Sequence, residues 1–275
     1  MTNSGCKPLL FCVLLSTAAG LSLAQDAPAE ATKASAAKEW LALRTAEFES
    51  YRFELEGPKP KTLTMETRSL LNWSNAERGT AVGAVFLWTY EGRPEMIACA
   101  FGRGKSLRHE FHSLSTQPIM AELAGTRVHR FKPGIEWHEL ADAPEPAASR
   151  ALRLAQMRRQ AERFRATFFV LRPMGNKEPA ETRLLTQPVY RWPASTATDG
   201  AIFLFVQGTD PECALTLETT AEKKWRYALT RQTKSALKAD LDDKPVLELP
   251  AFWQQPADAE SAFFVLTPPA AKEGR

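Results

Sequence analysis

The chain has 275 residues, 44% of them hydrophobic, with 35 Lys and Arg against 32 Asp and Glu. That length supports one large or two ordinary domains, each able to bury a core. A net charge of +3 is too balanced for the broad basic field that phosphate-backbone binding requires, so nucleic acid is not an expected partner.

Residues 1–24 read as a secretory signal: Lys7 in a short polar start, an apolar run over residues 9–15 continuing through Ala18-Ala19-Gly20, then Ser22-Leu23-Ala24. The small residues Ser22 and Ala24 place cleavage after Ala24. The run is shorter than the ~20 apolar residues that cross a bilayer, and no later segment is longer, so no membrane span is expected after cleavage. The expected location is therefore outside the cytoplasm, periplasmic or secreted. Cys6 and Cys12 leave with the signal, while Cys99 and Cys213 remain in a compartment that permits disulfides, as one bridge or as two separate buried thiols. Residues 25–37, rich in alanine and poor in large apolar side chains, read as a flexible linker.

From residue 38 onward the chain resembles itself. Gly83-Ala84-Val85-Phe86-Leu87-Trp88 returns 117 positions later as Gly200-Ala201-Ile202-Phe203-Leu204-Phe205, and Pro94-Glu95 returns as Pro211-Glu212 at the same offset. Glu66-Thr67-Arg68 with Leu70 matches Glu181-Thr182-Arg183 with Leu185, and Phe53 matches Phe168, both 115 positions on. Trp137 with Ala141-Asp142-Ala143 matches Trp253 with Ala257-Asp258-Ala259. The reading is two tandem related units, residues 38–145 and residues 146–260, with a C-terminal strand and tail over residues 261–275. The tail's first strand, residues 262–266, would pair with an existing sheet edge.

Each unit is expected to open with a helix. In the second, Ser149 is placed to cap the N-terminus, and Leu154, Met157, Ala161 and Phe164 form one apolar stripe. In the first, Trp40, Leu43 and Glu47 give a less regular pattern. Hairpins follow over residues 82–101 and 201–218, turning at Glu91-Gly92 and at Gly208-Thr209. Further strands are expected over residues 51–55, 65–73, 135–140, 168–171, 183–192, 224–229 and 246–249. The expected class is α+β, each unit an antiparallel sheet with a helix packed on one face.

The four histidines, His109, His112, His129 and His138, all fall in the first unit. Arg108-His109-Glu110-Phe111-His112 lacks the i, i+4 pair that puts two ligands on one helix face, and on a strand His109 and His112 would point to opposite sides. A hydrolytic site, with or without a metal, would use His109, Glu110, His112 and His138. No Gly-x-Ser-x-Gly elbow occurs, Cys99 sits in an apolar strand, and Gly102-Arg103-Gly104-Lys105 lacks phosphate-loop spacing, so no cofactor and no metal are expected. The arginine-rich stretch from Arg150 to Arg165, with Arg158 and Arg159 at its centre, offers a cationic face for an anionic polymer or an acidic partner.

Two runs in the second unit, Leu184-Leu185-Thr186-Gln187-Pro188-Val189-Tyr190-Arg191 and Val206-Gln207-Gly208-Thr209-Asp210-Pro211-Glu212, resemble a group of exported bacterial proteins of no known activity. The resemblance implies export and a shared fold, and it implies no substrate. The expected function is a non-catalytic exported module that binds a ligand or envelope partner. The rivals are a hydrolase at the histidines and a structural component of the envelope.

Overall fold

The structure, a computed structural model, describes residues 27–76, 78–103, 106–171, 177–254 and 260–268; the expected signal segment lies outside them. The chain divides into residues 1–40 and residues 41–275, and the sheets and sites below belong to the second part. The helix α1 (Ala27–Glu49) runs across that division. Residues 27–37, expected as a flexible linker, are helical, and alanine, the strongest helix former, fills much of that stretch.

The expected α+β class is wrong. The chain is 52% strand and 13% helix, folded into four antiparallel sheets, with only two α-helices among the described residues. The helix expectation overestimated how much of each sheet a short amphipathic segment covers. In place of helices, a small sheet covers the outer face of each large one.

The first large sheet orders β20 (Phe263–Leu266), β7 (Ser106–Ser113), β6 (Arg93–Arg103), β5 (Thr80–Tyr90) and β3 (Thr64–Met65), with β4 (Leu71–Asn75) also on β5. Over it lies a sheet of β2 (Lys61–Thr62), β1 (Tyr51–Leu55), β8 (Ile119–Leu123) and β9 (Thr126–Phe131). The layer between them is aromatic: Phe53 of β1 meets Trp88 of β5 edge-on at 4.9 Å, and Phe48 of α1 stacks on Phe86 at 4.5 Å.

The second large sheet orders β10 (His138–Glu139), β17 (Trp225–Arg231), β16 (Asp210–Thr219), β15 (Gly200–Gln207) and β13 (Arg183–Leu184), with β14 (Tyr190–Arg191) also on β15. It is covered by β12 (Lys177–Glu181), β11 (Phe164–Leu171), β18 (Ala236–Leu241) and β19 (Lys244–Leu249). The helix α2 (Arg150–Ala161) contributes Met157 and Ala161 to this core, and Ser149 Oγ caps it by accepting from the Leu152 N–H at 3.2 Å. Phe164, expected on the helical stripe, instead starts β11.

The two sets share strand order and register. Leu87 faces Ile97 in the first, and Leu204 faces Ala214 in the second. Both hairpins carry their irregularity one step further on, at Trp88/Thr89 and at Phe205/Val206. Trp73 lies across Gly83, and Trp192 across Gly200, so close that a Cβ at either glycine would collide with the indole. The geometry re-registers one sequence match: Glu66 N donates to Leu87 O as Leu185 N donates to Leu204 O. Glu66 thus occupies the place of Leu185 rather than of Glu181. Glu95 and Glu212 do occupy equivalent places, their carbonyls accepting from Leu114 N and Gln232 N, each at 2.8 Å.

The last strands are exchanged. β10, which follows the first set in sequence, pairs with β17 through His138↔Tyr227 and Glu139↔Arg226. β20, at the far end of the chain, pairs with β7 through Phe263↔His112 to Leu266↔His109. The large sheets also face each other: Val85, Leu87, Ile97 and Cys99 pack with Ile202, Leu204, Val206 and Ala214. Each such side chain is worth about 1.5–3 kcal/mol of burial, before the entropy of ordering it. Ion pairs flank this apolar layer. Arg93 grips Glu218 with two bonds of 2.7 and 2.8 Å, and Arg78 reaches Asp210 at 3.1 Å and also Glu212.

Candidate functional site

Alternation along β7 separates the expected histidine group. His109 and Phe111 face the aromatic layer, while Glu110 and His112 face the other way. His109 is 1% exposed, and its Nδ1 is 3.0 Å from the Tyr51 hydroxyl. Burial, helped by Arg44, pushes its pKa down to about 4, so it is a neutral core residue. Glu110 is buried, has no ion pair among the described residues, and has its pKa pushed up to about 7 by burial. His138 is exposed on β10. Among the described residues, no three His, Cys, Asp or Glu side chains are grouped to hold a metal.

His112 is different, because it lines a pocket of about 480 Å³. The opening lies where β10 has stopped pairing with β17 and the chain over residues 133–138 passes β20. Ile135, Val246, Leu247, Leu249, Phe252 and Phe263 make its walls apolar. Thr230, Arg231 and His112 are also among its lining residues, at 1%, 3% and 6% exposure, as are Glu136 and His138. His112 Nε2 is 3.2 Å from Gly134 O. A carbonyl only accepts, so Nε2 carries the proton and Nδ1 is a bare acceptor. Burial, chiefly, holds this imidazole neutral, with its pKa lowered to about 4; nearby Arg231 acts in the same sense. Arg231 Nη2 donates to Pro250 O at 2.6 Å. His112 Nδ1, Thr230 Oγ1 and Arg231 Nη1 are buried and find no hydrogen-bond partner among the described residues. Such atoms are uncommon in native proteins because each forfeits its hydration.

The structure also brings together a pair that sequence spacing did not show. Ser261 Oγ, at the pocket, lies 3.4 Å from His129 Nε2. It does not form a nucleophile–base dyad, because the hydroxyl donates its proton to Phe263 O. His129 also lies 3.1 Å from the Ser261 carbonyl and stacks on Phe264 at 4.2 Å, which fixes the start of β20.

The arginine-rich stretch is mostly engaged. Arg150 and Arg153 bind Asp199 together with Arg191, and this surround holds the Asp199 carboxyl below its usual range despite partial burial. Arg163 and Arg165, which lie beyond the helix, pair with Asp242 and Asp243. Arg158 donates to Gln187, and Arg159 stands exposed. The expected six-arginine face is thus reduced to Arg158 and Arg159, because folding brings acids from distant loops to the others.

Of the two alternatives for Cys99 and Cys213, one bridge or two separate buried thiols, the structure has the second: both are free and buried. Cys99 lies in the layer between the large sheets, and Cys213 lies in the core under the second small sheet. Burial raises both pKa values, Cys213 to about 12, which makes both thiols unreactive.

No protein-family model, curated protein or solved structure matches this chain. Sequence reading did not single out Arg231, and the strand Trp225–Arg231 offers no signal for it, since it carries Arg226 and Thr230 as well.

Proposed function

We propose that the chain is an exported, non-catalytic binding protein that encloses a small molecule in the pocket beside β17 and β20. One observation carries this reading: a cavity of about 480 Å³ is walled by Ile135, Val246, Leu247, Leu249, Phe252 and Phe263 and has His112, Glu136 and Arg231 among its lining residues. Apolar walls with a few polar residues are the usual make-up of a small-molecule site. Export is supported by the signal-like residues 1–24 and by the resemblance of the 184–191 and 206–212 runs to exported bacterial proteins. We read the two sets of sheets as one unit written twice, supported by their common strand order, register and irregularity.

The test uses an uncharged fluorophore that brightens in apolar surroundings, N-phenyl-1-naphthylamine. Saturable binding at one site per chain is expected, lost in Val246→Trp, which fills the partly buried mouth while the melting temperature stays near that of the wild type. Absence of saturable binding, or binding indifferent to Val246→Trp, rejects the pocket as the site.

A further inference from the structure

We infer that the molecule held in this pocket is a short extended peptide, added as a strand to the open edge of β17 in line with β10. This rests on the binding reading above and adds the ligand's class. The first set shows such an edge filled. There β20 pairs with His109 to His112 of β7, and one step on Ser113 N donates to Ala262 O at 2.9 Å. The pairs Ile97↔His112 and Ala214↔Thr230 align the two edge strands, so Tyr227 to Thr230 stand where His109 to His112 do, and Arg231 where Ser113 does. β10 takes only Arg226 and Tyr227. Upstream of His138 the chain turns away to the first set, where Gly134 N donates to Ser115 O at 2.9 Å. Among the described residues no strand pairs with β17 beyond Tyr227 on that side. The pocket is the space so vacated: Gly134, Ile135 and Glu136 of the departing segment line it, and so do Leu229, Thr230 and Arg231. Side chains alternate between the faces of a strand, so three successive residues lining one cavity place it along the strand's edge.

The backbone supplies the chemistry. Gln232 N donates to Glu212 O on β16, whereas Trp225 O accepts from Leu140 N on the opposite side. The two backbone groups of a residue in an antiparallel ladder point the same way and alternate along the strand. Ala228 and Thr230 therefore bond to β16, while Leu229 and Arg231 aim at the vacated place. The Arg231 carbonyl is taken by Gln232 Nε2 at 2.8 Å, which leaves the Leu229 N–H and C=O and the Arg231 N–H for a guest. Such an edge is a template for another strand, which gains affinity from main-chain bonds and specificity from alternate side chains. The side chain is set by the same comparison. Phe264, opposite Phe111, stacks on His129, which lies opposite Ala121. The pairs Phe53↔Ala121 and Phe168↔Leu237 align the small sheets, so Leu249, opposite Leu237, stands where His129 does, and it lines the pocket. The guest residue opposite Leu229 is thus large and apolar, resting on Leu249 as Phe264 rests on His129.

The experiment titrates the wild-type chain with acetyl-Lys-Thr-Phe-Thr-Phe-Thr-Lys-amide in a calorimeter. One site per chain is expected, in competition with N-phenyl-1-naphthylamine. With a phenylalanine opposite Leu229, the phenylalanine nitrogens face β17 and the threonine nitrogens face away. Methylating the phenylalanine nitrogens should weaken binding about tenfold or more, the worth of one hydrogen bond, and methylating the threonine nitrogens less than about threefold. Equal tolerance of the two patterns, or equal loss, overturns the inference. In hydrogen exchange, saturating peptide should slow the Leu229 amide about tenfold or more, and an unchanged rate there overturns the inference as well. Should the fluorophore bind while the peptide does not, only the peptide assignment fails. If neither binds, the binding reading fails with it.

Discussion

The two large sheets have the same strand order and almost the same register, yet their edge strands carry different chemistry. Ile97 faces His112 on β7, and the equivalent Ala214 faces Thr230 on β17. One step along, Ser113 in the first set stands where the second has Arg231; two steps back, Glu110 stands where the second has Ala228. In the hairpin centres, by contrast, Phe86-Leu87 and Phe203-Leu204 remain alike. The layers that hold the sheets together tolerate little change, because close-packed interiors register every methylene. The edges have diverged: where one carries His112 and Ser113, the other carries Thr230 and Arg231.

Three experiments would break or sharpen this comparison. The largest effect should come from the exchanged strands. β20 makes four register pairs and buries Phe263, whereas β10 makes two pairs through exposed residues. Deleting residues 261–275 is expected to lower the melting temperature by roughly 10 °C or more, and substituting glycine at His138 and Glu139 by less than about 3 °C. Equal losses in calorimetric scans would show the two exchanges to be energetically alike.

An intermediate effect is expected at the paired glycines. A Cβ at Gly83 would sit 2.2 Å from Trp73 Cε2, and one at Gly200 2.9 Å from both Leu217 O and Trp192 Cε2. Gly83→Ala should therefore cost about 3 kcal/mol in urea unfolding and Gly200→Ala about 1–2 kcal/mol, the range of overpacked cores. The reverse order would mean that Trp73 yields more readily than Trp192.

A third effect, seen only as the pH changes, concerns Glu110, whose counterpart is Ala228. Its pKa is raised from 4.5 to about 7 in the folded chain, so folding favours its protonated form. That contribution is fully present below about pH 4.5 and is lost as the pH climbs through 7. Glu110→Gln, which cannot ionise, should be more stable than the wild type by on the order of 1–3 kcal/mol at pH 8 and should lose that advantage at pH 4. His109 and His112, with pKa values lowered to about 4, weaken both proteins alike as the pH falls from 6.5. Their effect cancels in the comparison. A difference independent of pH would remove Glu110 ionisation from the account.

Much of the strand content was legible, because hairpins announce themselves through turn residues. Glu91 and Gly92 both adopt positive φ, and Gly208 does so alone, as two-residue turns require. Strands such as Ser106–Ser113 were missed because their charged and imidazole side chains, buried on both faces, hide the alternation that marks a strand. The class failed for a related reason. α2 has an apolar stripe and a capping serine, and nothing local shows that a four-stranded sheet, assembled from residues some seventy positions apart, covers the same core. The pocket was illegible because it forms where His112 and residues 133–138 meet residues 227–263, which local patterning does not encode.

The reciprocal exchange bears on how the chain reaches its native state. β7 is made early, but its outer edge is covered by Phe263–Leu266, which follow only after β8 to β19. A chain made N-terminus first would carry an unpaired strand edge until β20 is made, the kind of edge that recruits other strands. Closure then joins residues far apart in sequence, a contact of high order and a slow step in folding. Since His112 and Phe263 also line the pocket, that cavity would take its final form only once β20 is seated.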